Sequence, residues 1–445
     1  METIAILPSF GGAIWTLLAF VVALSVIVAI HEYGHYIVGR WTGIDAEVFS
    51  LGFGPVIYSR YDKRGTKWQV ALLPFGGYVK FLGDADAASG KDSEAIATMS
   101  EDERRRTMHS APLWARASTV AAGPIFNFIL SILIFSSVLL FQGQARDPLT
   151  IAKILPLPQS TQALKPGDEI LSIAGVAVPK LDNFDGFAAK LPVQPMLDYK
   201  VLRAGSETTV SGPYPYPPMV MSVQPQSAAY DAGLENGDVI EAVDGQPIVA
   251  FDDLRRIVAG SDGKALTLKV WRAGQVSDVQ LSPRRVDLPM PEGGFETRWL
   301  IGITGGLFFE PETASPGVLA SAKYGVDQTY FIVRSSLSGI WNIITGAISS
   351  CNISGPIGIA QASGAMASQG PSSFIWFIAV LSTAVGLMNL FPVPVLDGGH
   401  LVFHAWEAVT GKPPSDRALR VLMGIGLALI GSLMVFALTN DIFCP

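Results

Sequence analysis

The sequence predicts an α-helical membrane protein: four transmembrane helices with a membrane-associated β-hairpin, plus two inserted α+β domains. Three observations carry this. The 445 residues are 49% hydrophobic and 16% charged, with mean hydropathy +0.38, too apolar for an ordinary soluble enzyme and too charged for a helix bundle alone. Four apolar runs are long enough, with their flanks, to cross a bilayer core, which takes roughly 20 residues. Between the second and third runs the composition turns polar and a sequence motif repeats.

The first run, Ile14 to Ile30, carries no charge and leads directly into His31-Glu32-Tyr33-Gly34-His35. The ten residues at the start hold an acid and no Lys or Arg, and no A-x-A site follows the apolar core, so the run is expected to be retained, not cleaved as a signal peptide. On a helix His31 and His35 fall one turn apart on one face, with Glu32 beside them. This H-E-x-x-H spacing suits two neutral imidazoles that bind Zn2+ and a carboxylate that takes a proton from water activated by the metal. A polar helix end is the bland alternative. Ionisable groups at membrane depth are costly without partners, which favours the metal site and asks for a third ligand from another span.

Residues 46–82 read as extended segments joined by a turn at Asp62-Lys63-Arg64-Gly65, with Gly52, Gly54, Gly76 and Gly77 marking bends. So apolar a hairpin is expected to dip toward the active centre and not lie on the surface, because non-helical backbone is tolerated at depth where it lines a cavity. Residues 84–110 are polar, with a mixed charged run from Glu101 to Arg106 expected on a solvated helix face or loop. The second span, about Trp114 to Phe141, contains Gly123-Pro124, which permits close packing and a kink, and a lone Asn127 that needs a partner.

In the polar middle, LKPGDEILSIAGVAV (164–178) aligns on LENGDVIEAVDGQPI (234–248). Each copy reads as a tight turn, a strand, and a Gly turn into a second strand, with an amphipathic helix expected near 184–190 and 251–259. The pattern resembles tandem PDZ domains of the bacterial protease-associated type. The expected organisation is residues 1–145 for two spans and the hairpin, 146–222 and 223–311 for two PDZ-like domains, 312–373 for an amphipathic linker on the membrane surface, and 374–445 for the last two spans. Within the linker, SGPIGIAQ (354–361) reads as a segment broken by Gly and Pro. The third span runs from about Phe374 to Leu390 and the fourth from about Ala418 to Leu438.

Arg40 and Arg104 to Arg106 flank one loop and Lys412, Arg417 and Arg420 another, whereas both ends of the chain lack such charges. Basic loops stay cytoplasmic. Both termini and the repeats are therefore expected outside, with the His31–His35 motif toward the cytoplasmic face. The net charge of −7 argues against nucleic acid as a partner. Cys351 and Cys444 are too few for a disulfide framework, and neither belongs to a C-x-x-C metal pair.

Candidates for the third metal ligand are Asp397, His400, His404 and, farther off, His109. Asp397 is favoured over His400 because it follows backbone broken by Pro392 and Pro394, where ligands are presented at membrane depth, and two His with a carboxylate leave a position open for water. The pair HEYGH and N-x-x-P-x-x-x-x-D-G, here Asn389, Pro392, Asp397 and Gly398, resembles the motifs of the site-2 protease family of intramembrane zinc metalloproteases. GPIFN (123–127), LPFGGYVK (73–80) and the PDZ-like repeats extend the likeness over essentially the whole length. It implies His31, His35 and Asp397 as zinc ligands, Glu32 as general base and Asn389 as a holder of the substrate backbone. The implied substrates are single-pass membrane proteins already shortened by an earlier protease, of the anti-sigma factor type, and remnant signal peptides. A scissile peptide must be unwound before attack, so an edge strand of the hairpin, at Gly76, Gly77, Tyr78 and Val79, is expected to pair with it. Two other classes remain. A non-catalytic zinc scaffold docking partners through its PDZ domains would gain nothing from Glu32, and a metal transporter would show duplicated inverted halves.

Overall fold

The computed structural model describes residues 10–85, 93–158, 162–180, 184, 186–290 and 294–444. The chain divides into two compact units, one comprising residues 1–137, 322–341 and 350–445, the other 138–321 and 342–349. Among the described residues four helices are long and apolar enough to cross a membrane: Gly12–Trp41, Leu113–Gln142, Pro371–Asn389 and Arg417–Phe443. They fall on the four predicted runs.

Helix α1 (Phe10–Trp41) carries the HEYGH motif and stops at Gly43, whose φ of +86° lets Ile44 N–H return to the Gly39 carbonyl at 2.8 Å. Strands β1 (Ala46–Tyr61) and β2 (Lys67–Phe81) follow. A simple hairpin was the expectation; the structure differs. Phe49 pairs with both Val79 and Trp68, and Leu51 with both Gly77 and Val70, so residues 46–51 lie between the two ends of β2. Glycine makes this possible: Gly52 has φ +89°, and a Cβ there would sit 2.7 Å from the Leu73 carbonyl oxygen. The turn at Asp62 is latched to α1. Its carboxylate accepts from the Tyr36 hydroxyl (2.9 Å), Arg40 (2.8 Å) and the Arg64 and Thr66 N–H groups. Burial opposes ionisation of Asp62, but these donors outweigh it and hold the carboxyl well below the usual range.

In the polar stretch 84–110 the chain forms short helices α2 (Ser93–Thr98) and α3 (Glu101–Arg105), the latter on the charged run and opened by a capping box between Ser100 and Glu103. Helix α4 (Leu113–Gln142) follows, with Pro124 inside it. It meets α1 where small residues allow: a Cβ on Gly34 would lie 2.6 Å from the Ala122 carbonyl oxygen.

The second unit begins with β3 (Gln144–Ala145) and β4 (Ile151–Ile154). Then come β5 (Glu169–Ile173), β6 (Val176–Ala177), β7 (Met196–Arg203) and β8 (Ser206–Pro213), in sheet order β6-β5-β7-β8. After β9 (Ser222–Val223) and α5 (Ala228–Asp231) the same order recurs as β11-β10-β12-β13, from β10 (Val239–Val243), β11 (Gln246–Pro247), β12 (Leu266–Arg272) and β13 (Gln275–Leu281). The repeated Gly-Asp explains itself. Asp168 accepts from Lys165 N–H and twice from Arg203, at 2.6 and 2.7 Å; Asp238 accepts from Glu235 N–H and twice from Arg272, both at 2.6 Å. Each buried carboxylate thus ties the tight turn to the end of the third strand of its sheet. Burial works against the Asp168 charge, yet Arg203 and the Lys165 N–H keep its carboxyl below the usual range.

The helix expected in each copy is present in the second, as α6 (Phe251–Ala259). In the first, the described residues show only a 3-10 turn, Ala188–Lys190, and positions 181–183 and 185 lie outside them. Gly186, at φ +75°, breaks the helical path there. A hairpin of β14 (Arg284–Pro289) and β15 (Phe295–Leu300) precedes three short strands, β16 (Ile303–Thr304), β17 (Phe309–Pro311) and β18 (Thr313–Ala314), which pair back onto β9, β4 and β3.

The chain then forms α7 (Val318–Ile344), α8 (Pro356–Ser368), α9 (Pro371–Asn389), α10 (Asp397–Thr410) and α11 (Asp416–Phe443). SGPIGIAQ is no broken segment: Pro356 occupies the first turn of α8, where its missing N–H costs nothing. Helix α8 packs along α1, with Gly364 against Thr16. Asp441 near the end of α11 accepts from the N–H groups of Gly355, Ile357 and Gly358, capping α8. Cys351 and Cys444, which composition alone left unpaired, form a disulfide across 93 residues.

Candidate metal centre

His31 and His35 enter the protein on the face of α1 that meets α4. Gly123 makes room for them, since a Cβ there would stand 2.3 Å from His35 Nε2 and 2.8 Å from His31 Cε1. The rings meet edge to face with centroids 4.8 Å apart. His35 Nδ1–H donates to the Thr119 carbonyl at 2.8 Å, and His31 Nδ1 lies 3.2 Å from the Asn127 carboxamide. With both Nδ1 atoms engaged by α4, both Nε2 atoms turn the same way, 3.2 Å apart.

Asp397 comes to the same point from the first residue of α10. Gly398 and Gly399 let the chain fold tightly there, because a Cβ on either would sit 2.3 Å from the Leu390 or Val393 carbonyl oxygen. The far end of α10 is tied to α4 by a two-pronged pair, Arg116 to Glu407 at 2.7 and 3.0 Å. Asp397 Oδ2 lies 3.2 Å from His31 Nε2 and 3.5 Å from His35 Nε2.

The three atoms fit a metal ion. A tetrahedral zinc centre with bonds of about 2.05 Å separates its ligand atoms by about 3.3 Å, and the three observed separations are 3.2, 3.2 and 3.5 Å. Among the described residues Asp397 Oδ2 is buried without a hydrogen-bond donor, so three electron-rich atoms converge in the way a cation site requires. Among the described residues this is the one group of three His, Cys, Asp or Glu side chains so arranged. The rivals stand elsewhere: His109 pairs with Asp84 at 3.1 Å, the His400 ring packs on Phe403, and His404 is outside the cluster.

Glu32 is on the same turn of α1, facing β2. Its carboxylate side chain faces that strand, where a Cβ on Gly77 would lie 3.2 Å from its Cγ. The expected substrate-pairing residues thus run beside Glu32. Gly76 has φ +148° under the Phe53 ring, the Tyr78 hydroxyl accepts from Gln69 at 3.2 Å, and Val79 is buried. Asn389 donates its carboxamide N–H to the Val385 carbonyl of its own helix at 3.1 Å. Sequence reasoning named the lone Asn127 as needing a partner without finding His31. It missed the Thr119 carbonyl, since a backbone acceptor leaves no mark in a sequence.

Comparison with known proteins gives a consistent result. Residues 19–433 match Peptidase family M50. A protein of Agrobacterium fabrum provisionally named a zinc metalloprotease is 37% identical over 98% of both chains. A similarly named protein of Rhizobium meliloti is 37% identical over 96% of both. The regulator of sigma-E protease of Salmonella typhimurium is 32% identical over 96% of this chain and 98% of its own.

Proposed function

Because the chain belongs to peptidase family M50, the site-2 type of metalloprotease, we propose that His31, His35 and Asp397 hold a catalytic zinc ion and that Glu32 is the general base of an intramembrane endopeptidase. The observation that carries this reading is the convergence of Nε2, Nε2 and Oδ2 at the edge lengths of a tetrahedron. Zinc in that position supplies Lewis acidity that polarises a peptide carbonyl and acidifies water. The protein's own groups do the rest. The Thr119 carbonyl, accepting from His35 Nδ1–H, keeps the His35 Nε2 lone pair pointed at the centre. Glu32 accepts the proton of the attacking water and returns it to the leaving amine. Packed helices and the sheet around the site limit bulk water.

The substrates we assign are single-pass membrane proteins shortened by an earlier cut, of the anti-sigma factor type, and remnant signal peptides. A stretched substrate pairs with the strand at Gly76–Val79, and Asn389 holds its backbone. The four apolar helices support a multi-pass protein in a lipid bilayer. We place it in a bacterial inner membrane, with both termini and the repeats periplasmic. The disulfide supports this orientation, because Cys351 and Cys444 need an oxidising compartment and lie at the end of α11 remote from the basic loop at Lys412 and Arg417. The two like-ordered sheets are read as PDZ domains within the expected spans 146–222 and 223–311, with β17 and β18 returning to strands β4 and β3 at the start of the first.

Metal content decides the ligand set. Asp397→Asn should weaken zinc binding by at least about tenfold, whereas His400→Ala should bind as the unaltered protein does. Loss of zinc from the His400 variant alone would show the third ligand to be wrong.

The repeats contribute none of these ligands, and we read them as a steric filter that keeps out proteins with bulky external portions. Deleting residues 150–310 across a short linker should then allow cleavage of full-length substrates and spare turnover of shortened ones. If the repeats dock substrate instead, the same deletion slows cleavage of shortened substrates and leaves full-length ones uncut.

A further inference from the structure

Asn127 is fully buried in α4, one turn beyond Gly123-Pro124. Its backbone is fixed: the Ser131 and Ser382 hydroxyls both donate to its carbonyl at 3.0 Å, the latter from α9. Gly386 of α9 lets that helix close on it, the position of an added Cβ being 3.1 Å from Asn127 Cβ. Among the described residues its side chain hydrogen-bonds with His31 Nδ1 alone, at 3.2 Å, and its buried Oδ1 has no hydrogen-bond partner. Chemistry decides which amide atom meets the imidazole. A histidine that presents Nε2 to a cation carries its proton on Nδ1 and needs an acceptor there. The carboxamide oxygen and nitrogen exchange places by a half-turn about the last side-chain bond, within one volume.

We propose that Asn127 is a positioning residue for the metal centre: its Oδ1 accepts from His31 Nδ1–H and fixes the tautomer that offers Nε2 to zinc. The inference rests on the zinc reading above. It makes α4 the backing of both imidazoles, through a main-chain oxygen for His35 and a side-chain oxygen for His31. Only the second can be removed by substitution.

The test is the zinc dissociation constant of the full-length protein in detergent, measured by chelator competition, with melting temperature as the control for folding. Asn127→Leu, similar in size and without an acceptor, should weaken zinc about 10–100-fold, the usual cost of losing an outer hydrogen bond to a metal-bound histidine. Asn127→Asp keeps an oxygen at the same place and should recover most of that affinity. The visible spectrum of the cobalt-substituted protein should change in the Leu variant and return toward the original in the Asp variant. Wild-type affinity in Asn127→Leu overturns the proposal. So does an Asn127→Asp protein that melts normally yet binds as weakly as the Leu variant, which would make the residue a packing element. His31→Ala separates this from the reading beneath it. If His31→Ala abolishes zinc binding while Asn127→Leu does not, only the role of Asn127 fails; if His31→Ala binds zinc normally, both fail.

Discussion

Purified Glu32→Gln protein should carry zinc at the same stoichiometry as the unaltered protein and fail to cut a shortened single-pass substrate. The substitution preserves size, so the glutamine fits the same space beside Gly77 of β2. None of the three converging atoms belongs to residue 32. What is lost is the capacity to take up a proton, since an amide oxygen is far too weak a base. General-base contributions run to about 10^2–10^4-fold, equivalent to about 3–5 kcal/mol of barrier, so cleavage should fall by that factor with little change in substrate affinity. Normal turnover by this variant would remove Glu32 from the reaction. A zinc-free variant would instead make it part of the metal's own support. A non-catalytic zinc scaffold predicts a third pattern: neither variant nor parent cuts anything, while both hold metal.

The four spans were legible because each is a long apolar run, and a bilayer leaves the backbone of such a run little choice but a helix. HEYGH was legible because helical periodicity alone puts His31 and His35 on one face. The repeat was legible because Gly-Asp and its flanking residues recur between 164–178 and 234–248; the arginines that clamp the two carboxylates, Arg203 and Arg272, fall outside those stretches and were not read. Features that depend on distant parts of the chain were not. The double pairing of residues 46–51 requires both ends of β2 to come together, and alternation within a strand says nothing about how many neighbours it has. The Cys351–Cys444 bond joins positions 93 apart, and two cysteines carry no spacing signature. Pro356 was read as a break because a proline's cost depends on where the helix starts, a boundary that local composition locates poorly. In the candidate metal centre the three side chains that converge, His31, His35 and Asp397, could be named from motifs. Of their supports on α4, Gly123 and Asn127 were singled out without their partners, and Thr119 was not, because it acts through its backbone.

Gly123→Ala should dismantle the metal centre while leaving the chain folded. By intrinsic propensity the change favours a helix interior by about 1 kcal/mol, so any loss must come from the space the new methyl group enters. That methyl would stand 2.3 Å from His35 Nε2, 2.5 Å from His35 Cε1 and 2.8 Å from His31 Cε1. The rings cannot simply turn aside, because His35 is bound to the Thr119 carbonyl, His31 faces Asn127, and the two are packed on each other. Nor can α4 retreat without cost. Gly34 of α1 is set against the Ala122 carbonyl on one side, and Gly386 of α9 against the Pro124 carbonyl on the other. The strain of such overpacking is about 1–3 kcal/mol, which, borne by the imidazoles, amounts to roughly a 5–150-fold loss of zinc affinity with a matching loss of cleavage. The control is Gly431→Ala in α11, where a Cβ meets nothing within 4 Å and both zinc and turnover should be unchanged. Stoichiometric zinc and full activity in Gly123→Ala would mean that α1 and α4 can separate by the width of a methyl group without disturbing the site, and the close approach of the two helices would no longer explain why a glycine stands there.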